Sequence, residues 1–144
     1  MRSETVSQRS VEECFLMHDE ISPNCIVLRM SFTAVQIEQI SAMLDTYRKE
    51  NRPPEQIRPK LDIGWRLDKQ TVYLFEIRPR WNDPSVIDHH DFAKATWVDS
   101  AKEWRIYWMR ASLKWYRYDA LPSVGNLQRF LLELSKDPYG CFRG

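Results

Sequence analysis

The sequence predicts an α+β fold: an antiparallel five-stranded meander sheet with an N-terminal and a C-terminal helix packed on one of its faces. Three observations carry that expectation. Apolar residues recur at helical spacing in two stretches, 37–47 and 127–134. Between them lie runs that alternate with a period of two. The links joining those runs are too short for a helical crossover, so successive strands should be antiparallel neighbours. With 144 residues, 43% of them hydrophobic, one core of ordinary domain size can be filled. The expected organisation is an N-terminal extension over residues 1–30 and a single α+β domain over 31–144, in the order α-β-β-β-β-β-α.

Residues 1–30 show no sustained period and hold three arginines against five carboxylates, the opposite bias from the rest of the chain. They are expected to be disordered or foreign to the native protein, with Met30 placed to serve as the native start. The alternative is that Ile26, Val27 and Leu28 add a short strand or pad the core. The first helix is announced by Thr33 as N-cap, Gln36 completing a capping box, and Phe32 positioned to staple onto Ile37. Ile37, Ile40, Leu44 and Tyr47 then form its apolar stripe, widened by Met43. A basic last turn before Pro53 and Pro54 stops it.

Leu61 to Trp81 reads as a hairpin. Leu61, Ile63, Trp65 and Leu67 alternate with Asp62, Gly64 and Arg66; after Asp68-Lys69-Gln70, Tyr73, Phe75 and Ile77 alternate with Val72, Leu74, Glu76 and Arg78. A three-residue loop over 68–70 sets Trp65 opposite Tyr73, Ile63 opposite Phe75 and Asp62 opposite Glu76. Asn82 to Phe92, containing Asp88-His89-His90-Asp91, is the longest expected loop. Further strands are expected over Ala93 to Asp99, Trp104 to Arg110 and Leu113 to Tyr118. Asn126 caps the last helix, whose stripe is Leu127, Phe130, Leu131 and Leu134.

Net charge is +1, which demands neither nucleic acid nor a membrane as partner. No stretch reaches the ~20 apolar residues that span a bilayer. Cys14, Cys25 and Cys141 make an odd set without metal-ligand spacing, which suits free thiols in a reducing cytosol, so a cytoplasmic location is expected. Only four glycines are present, and none forms a phosphate-cradling loop; no cofactor is expected. Adjacent His89 and His90 point apart in an extended chain, and Cys141 has no neighbouring histidine, so a solvated loop and an inert thiol are the readings there.

The runs FEIRPRW (75–81), KATWV (94–98), IYWMRASLKW (106–115) and DPYGCFRG (137–144) occur in this order, and together they resemble a family of small bacterial proteins catalogued only as a domain of unknown function. The resemblance covers residues 31–144 and implies a start near the first helix. It implies no activity, cofactor or catalytic residue, and the 82–92 segment departs from the runs that carry it.

Chemistry is expected on the charged side of the hairpin. Asp62 opposite Glu76, with Arg66 and Arg78 beside them, is a repulsive carboxylate pair that needs a cation. Supplied by a metal, that cation gives the Asp, then Glu-x-basic pattern of Mg²⁺-dependent nucleases of the PD-(D/E)xK type, so Asp62, Glu76 and Arg78 are the catalytic candidates and Asp62 and Glu76 the metal candidates. Supplied by the arginines, it leaves an exposed salt-bridge ladder worth little. A second set, Arg78, Arg80, Trp81, Arg105, Tyr107, Arg110, Lys114, Tyr116 and Arg117, lies on the expected sheet or its rim. With Arg66, the residues Arg78, Arg80, Trp81, Arg110 and Lys114 are the binding candidates. Aromatics that stack bases beside cations that meet phosphates suit single-stranded nucleic acid; the same patch suits a protein partner or a homodimer. The expected function is thus a non-catalytic binding module for nucleic acid, another polyanion or a protein; the alternative is the metal-dependent nuclease.

Overall fold

The computed structural model describes residues 32–143, so the expectations for residues 1–30 lie outside it. Helix α1 spans Ala34–Asn51 and begins as its capping box dictates: Thr33 Oγ1 accepts the Gln36 N–H at 3.2 Å, and Gln36 Oε1 accepts the Thr33 N–H at 2.8 Å. Ile37, Ile40, Leu44 and Tyr47 are its buried stripe. Phe32, just ahead of the cap, stacks on Trp104 of the sheet at 5.5 Å between ring centroids. Arg52 closes the helix with extended backbone before Pro53.

Strands β1 (Asp62–Asp68) and β2 (Thr71–Arg80) form the expected antiparallel hairpin, but one residue away from the expected register. The turn holds only Lys69 and Gln70, with Lys69 in the left-handed region at φ 56° and Asp68 opposite Thr71. Asp62 therefore faces Ile77, Ile63 faces Glu76, Gly64 faces Phe75 and Trp65 faces Leu74. Asp62 and Glu76, expected as an opposed pair, stand on opposite faces of the hairpin. Alternation misled because β2 is apolar on both sides, so a one-residue slip exchanges one greasy set for another. Space decides the matter. The Phe75 ring lies over Gly64 so closely that a Cβ there would come within 2.8 Å of it, while Val72 and Leu74 are left to join Ile63 and Leu67 in the core.

The expected loop over 82–92 is instead strand. β3 runs from Asp83 to Val98, pairs with β2 and turns back at its start through Trp81 and Asn82. The polar Asp-Pro-Ser and Asp-His-His-Asp stretches looked like loop because both faces of this half of the hairpin are largely exposed, so no buried side imposes alternation. Leu74 pairs with Ala93 and Phe75 with Asp91, which makes Phe92 an extra residue bulged into the core. β4 (Glu103–Met109) comes next, with Trp104 and Ile106 buried.

The fifth strand is shorter than expected and interrupted. β5 covers Trp115–Arg117, since Leu113 takes φ 61° in the preceding turn; β6 (Ser123–Val124) then rejoins the same edge of β4. Ile106 spans the gap, its carbonyl accepting from Tyr118 and its N–H donating to Pro122, both at 3.0 Å. The interruption turns Tyr118 into the core, where its hydroxyl donates to Glu133 at 2.7 Å and its ring meets Phe142 at 4.6 Å. Burial and the Glu133 carboxylate push the Tyr118 hydroxyl well above the usual tyrosine range.

Helix α2 (Leu127–Lys136) starts at Asn126, whose side chain accepts the Arg129 N–H at 3.0 Å, and buries Leu127, Phe130, Leu131 and Leu134. The sheet order is β1-β2-β3-β4-β5, all neighbours antiparallel, with β6 also on β4. Both helices join one core with Ile63, Leu67, Val72, Leu74, Ala93, Ala95, Trp104 and Ile106, all on one side of the sheet. Among the described residues, the α+β architecture with a helix at each end is the expected one. Among the described residues, no helix is long and apolar enough to cross a membrane.

Candidate binding face of the sheet

The side of the sheet away from the helices is defined by the register. Arg66 on β1, Tyr73 and Phe75 on β2, Asp91, Lys94 and Thr96 on β3, Arg105 and Tyr107 on β4, and Trp115 and Arg117 on β5 all alternate onto it. Its centre is Lys94. The Lys94 Nζ sits 4.7 Å from the Trp115 ring centroid, 5.1 Å from Tyr107 and 5.9 Å from Tyr73, each within cation–π range. No described carboxylate forms an ion pair with it. Partial burial holds its pKa below the usual lysine value, while Asp91 acts in the opposite direction.

The arginines of this face are already engaged. Arg66 makes a two-pronged bridge to Asp91 at 2.6 and 2.8 Å, lies 4.1 Å over the Tyr73 ring, and has its pKa raised chiefly by the hydrogen bond to that carboxylate. Arg105 pairs with Glu103 and Arg117 with Asp119. Next to Arg66, Phe75 stacks on His89 at 4.6 Å with the planes 14° apart. These two rings help line a cleft of about 210 Å³ that reaches round the β1 edge to Asp45 and Arg48 of α1.

The sequence-predicted residues are scattered around this centre. Asp62 is nearly buried and belongs to the end of α1: Arg52 bridges it at 2.6 Å, Arg48 approaches to 3.5 Å, and Asp62 Oδ1 accepts the Ile63 N–H at 2.8 Å. Burial opposes its ionisation, but the Arg52 hydrogen bond, the Ile63 N–H and the two guanidinium charges outweigh burial and lower its pKa. Arg48 Nε also donates to the Ile63 carbonyl at 2.8 Å, so both outward groups of Ile63 on this edge strand are satisfied.

Glu76 and Arg78 pair with each other at 3.0 Å on the opposite face from Asp62, and among the described residues no three His, Cys, Asp or Glu side chains are grouped to hold a metal. Arg80 grips Asp88 through two contacts at 2.9 and 3.0 Å. Trp81, at the hairpin tip, is 90% exposed. Arg110 lies over Trp108 and Tyr116 on the helix side of the sheet, and Lys114 sits in the exposed turn before β5. Of the binding candidates, Arg66 alone stands on the Lys94 face. Tyr73, Phe75, Lys94 and Trp115 went unpredicted; alternation put Tyr73 and Phe75 on one side of β2, and what it could not supply is that this side lies away from the helices, where Lys94 and Trp115 join them. Burial, with a smaller effect from Asp137, pushes the Cys141 thiol up, which suits an inert thiol.

No curated protein and no solved structure matches this chain. The family model described as Domain of unknown function (DUF3024) matches residues 32–144, which takes in all the described helices and strands and the Lys94 face, and the chain belongs to that family.

Proposed function

We propose that this chain is a non-catalytic binding module that takes single-stranded nucleic acid on the open face of its sheet. The observation that carries the reading is Lys94: an ammonium set among Tyr73, Tyr107 and Trp115, with no ion-pair partner among the described residues, on a face whose arginines are already matched to carboxylates. An arriving phosphate meets an available cation at the centre, and the bases beside it meet ring faces. Stacking accepts any base, so weak sequence preference is expected. With a net charge of +1, affinity has to come from stacking more than from a broad positive field.

The test is a titration of tryptophan fluorescence and of labelled-strand anisotropy with single-stranded oligonucleotides. Binding should weaken as salt rises, the logarithm of affinity falling by roughly 0.7 per logarithm of salt for each phosphate neutralised. Lys94→Ala should reduce that slope by about one phosphate equivalent, and Tyr107→Ala should weaken binding by about 1–3 kcal/mol with little change in slope. The absence of any signal at low salt overturns the reading.

A further inference from the structure

The half of the β2–β3 hairpin beyond the sheet lies outside the packed body of the fold. β1 ends opposite Ile77 and β4 reaches only to Ala93, so residues 78–90 form a two-stranded ribbon projecting past both neighbours. Its two sides differ. On one, the charges cancel within the ribbon, Arg78 with Glu76 and Arg80 with Asp88. On the other, Ile77 opposite His89 and Pro79 opposite Ile87 continue the alternation of Tyr73 and Phe75, so this side is an extension of the Lys94 face. Ile87 on this side is 53% exposed, and Trp81, in the turn that closes the ribbon, is 90% exposed. An indole at the tip of a short turn makes no contribution to the core, and the adjoining charges are already satisfied.

Resting on the single-strand reading above, we infer that Trp81 is a second, distal stacking point, and that a strand seated at Lys94 runs over the Phe75–His89 stack and along the ribbon to reach it. The path takes in three features: the caged ammonium, the cleft of about 210 Å³ lined by Phe75 and His89 together with Asp45 and Arg48, and the exposed indole. From Tyr73 to Arg80 the strand covers roughly 23 Å at the usual rise per residue. A short oligonucleotide at Lys94 therefore cannot touch Trp81, whereas a longer one can. Lys94 supplies the available positive charge at one end of the path, which suits a phosphate, whereas Arg48 is held by Asp62 and the Ile63 carbonyl and shares the cleft with Asp45, so binding farther along the ribbon rests on stacking.

The experiment compares homopolymeric strands of about 4 and about 12 nucleotides on the wild-type chain and on Trp81→Ala. The wild type should bind the long strand more tightly. Trp81→Ala should lose about tenfold in affinity for the long strand and nothing for the short one. In parallel, acrylamide should quench one more fully accessible tryptophan in the wild type than in Trp81→Ala, and the long strand alone should shield it. If the wild type binds both strands and Trp81→Ala matches it at both lengths, the distal point is refuted while the Lys94 site stands. Equal losses at both lengths refute it too, as does a variant whose only change is loss of self-association in sedimentation, which would assign the tip to a second copy. If the wild type binds neither strand, both readings fall.

Discussion

Asp62 shows how much a single carboxylate does when it joins two elements. It receives Arg52 and Arg48 from the end of α1 and the N–H of Ile63 at the start of β1, so the turn between helix and sheet is closed by charge-assisted bonds. Replacing it by Asn keeps the shape and removes the charge, leaving Arg52 without its anion. The loss should be about 1–3 kcal/mol near neutral pH. The lowered pKa sets the pH dependence. In the unfolded chain the group titrates near its ordinary 3.8, in the folded chain lower, so between those values the unfolded state binds more protons. The stabilisation is complete above 3.8 and is lost as pH falls through the folded value. Urea unfolding measured from about pH 7 down to about pH 3 should show the gap between the wild type and Asp62→Asn narrowing toward the acid end. Curves that stay parallel throughout would remove Asp62 from that role.

At the scale of elements, the β1–β2 turn sets which residues share the binding face. Its two residues place Asp68 opposite Thr71 and hold Lys69 at φ 56°, a conformation that favours glycine. Lys69→Gly should therefore stabilise the protein, by up to about 1 kcal/mol, with oligonucleotide binding unchanged because Lys69 lies outside the ring cluster. A higher urea midpoint checks it; destabilisation would mean that the side chain contributes more than the backbone conformation costs. The interruption between β5 and β6 works similarly at the other edge. It breaks the ladder that a foreign strand would extend, and it delivers Tyr118 to Glu133 of α2.

For the whole molecule, the controlling feature is that one side of the sheet is closed by both helices and the other is left to rings and paired charges. Closeness on the covered side depends on Ala93 and Ala95 of β3, both fully buried beneath the helices. Ala95→Leu forces extra volume into a layer with none to spare and should destabilise by about 1–3 kcal/mol, read from the urea midpoint. Lys94, between those two alanines, points the other way, so Ala95→Leu should leave the salt slope of any strand binding in place. Loss of the slope in a folded variant would show that the two sides are coupled.

The sequence by itself determined the features that depend on residues three or four apart or on a single turn. Both helices, their caps at Thr33 and Asn126 and their buried stripes were legible, because a capping box and a stripe at helical spacing are complete within their own segment. The five-strand antiparallel order was legible from short connections, while the interruption that splits off the short β6 was not. The face of β2 was not, since Val72, Tyr73, Leu74 and Phe75 are apolar whichever way the strand is turned. Only the fit of the Phe75 ring over Gly64, across two strands, chose one side. That choice separated Asp62 from Glu76 and brought Arg66, Tyr73, Lys94, Tyr107 and Trp115 together from five strands. Alternation states which residues go together within a strand, whereas what they meet on the next strand is decided by volume and contact, which exist only in the folded sheet.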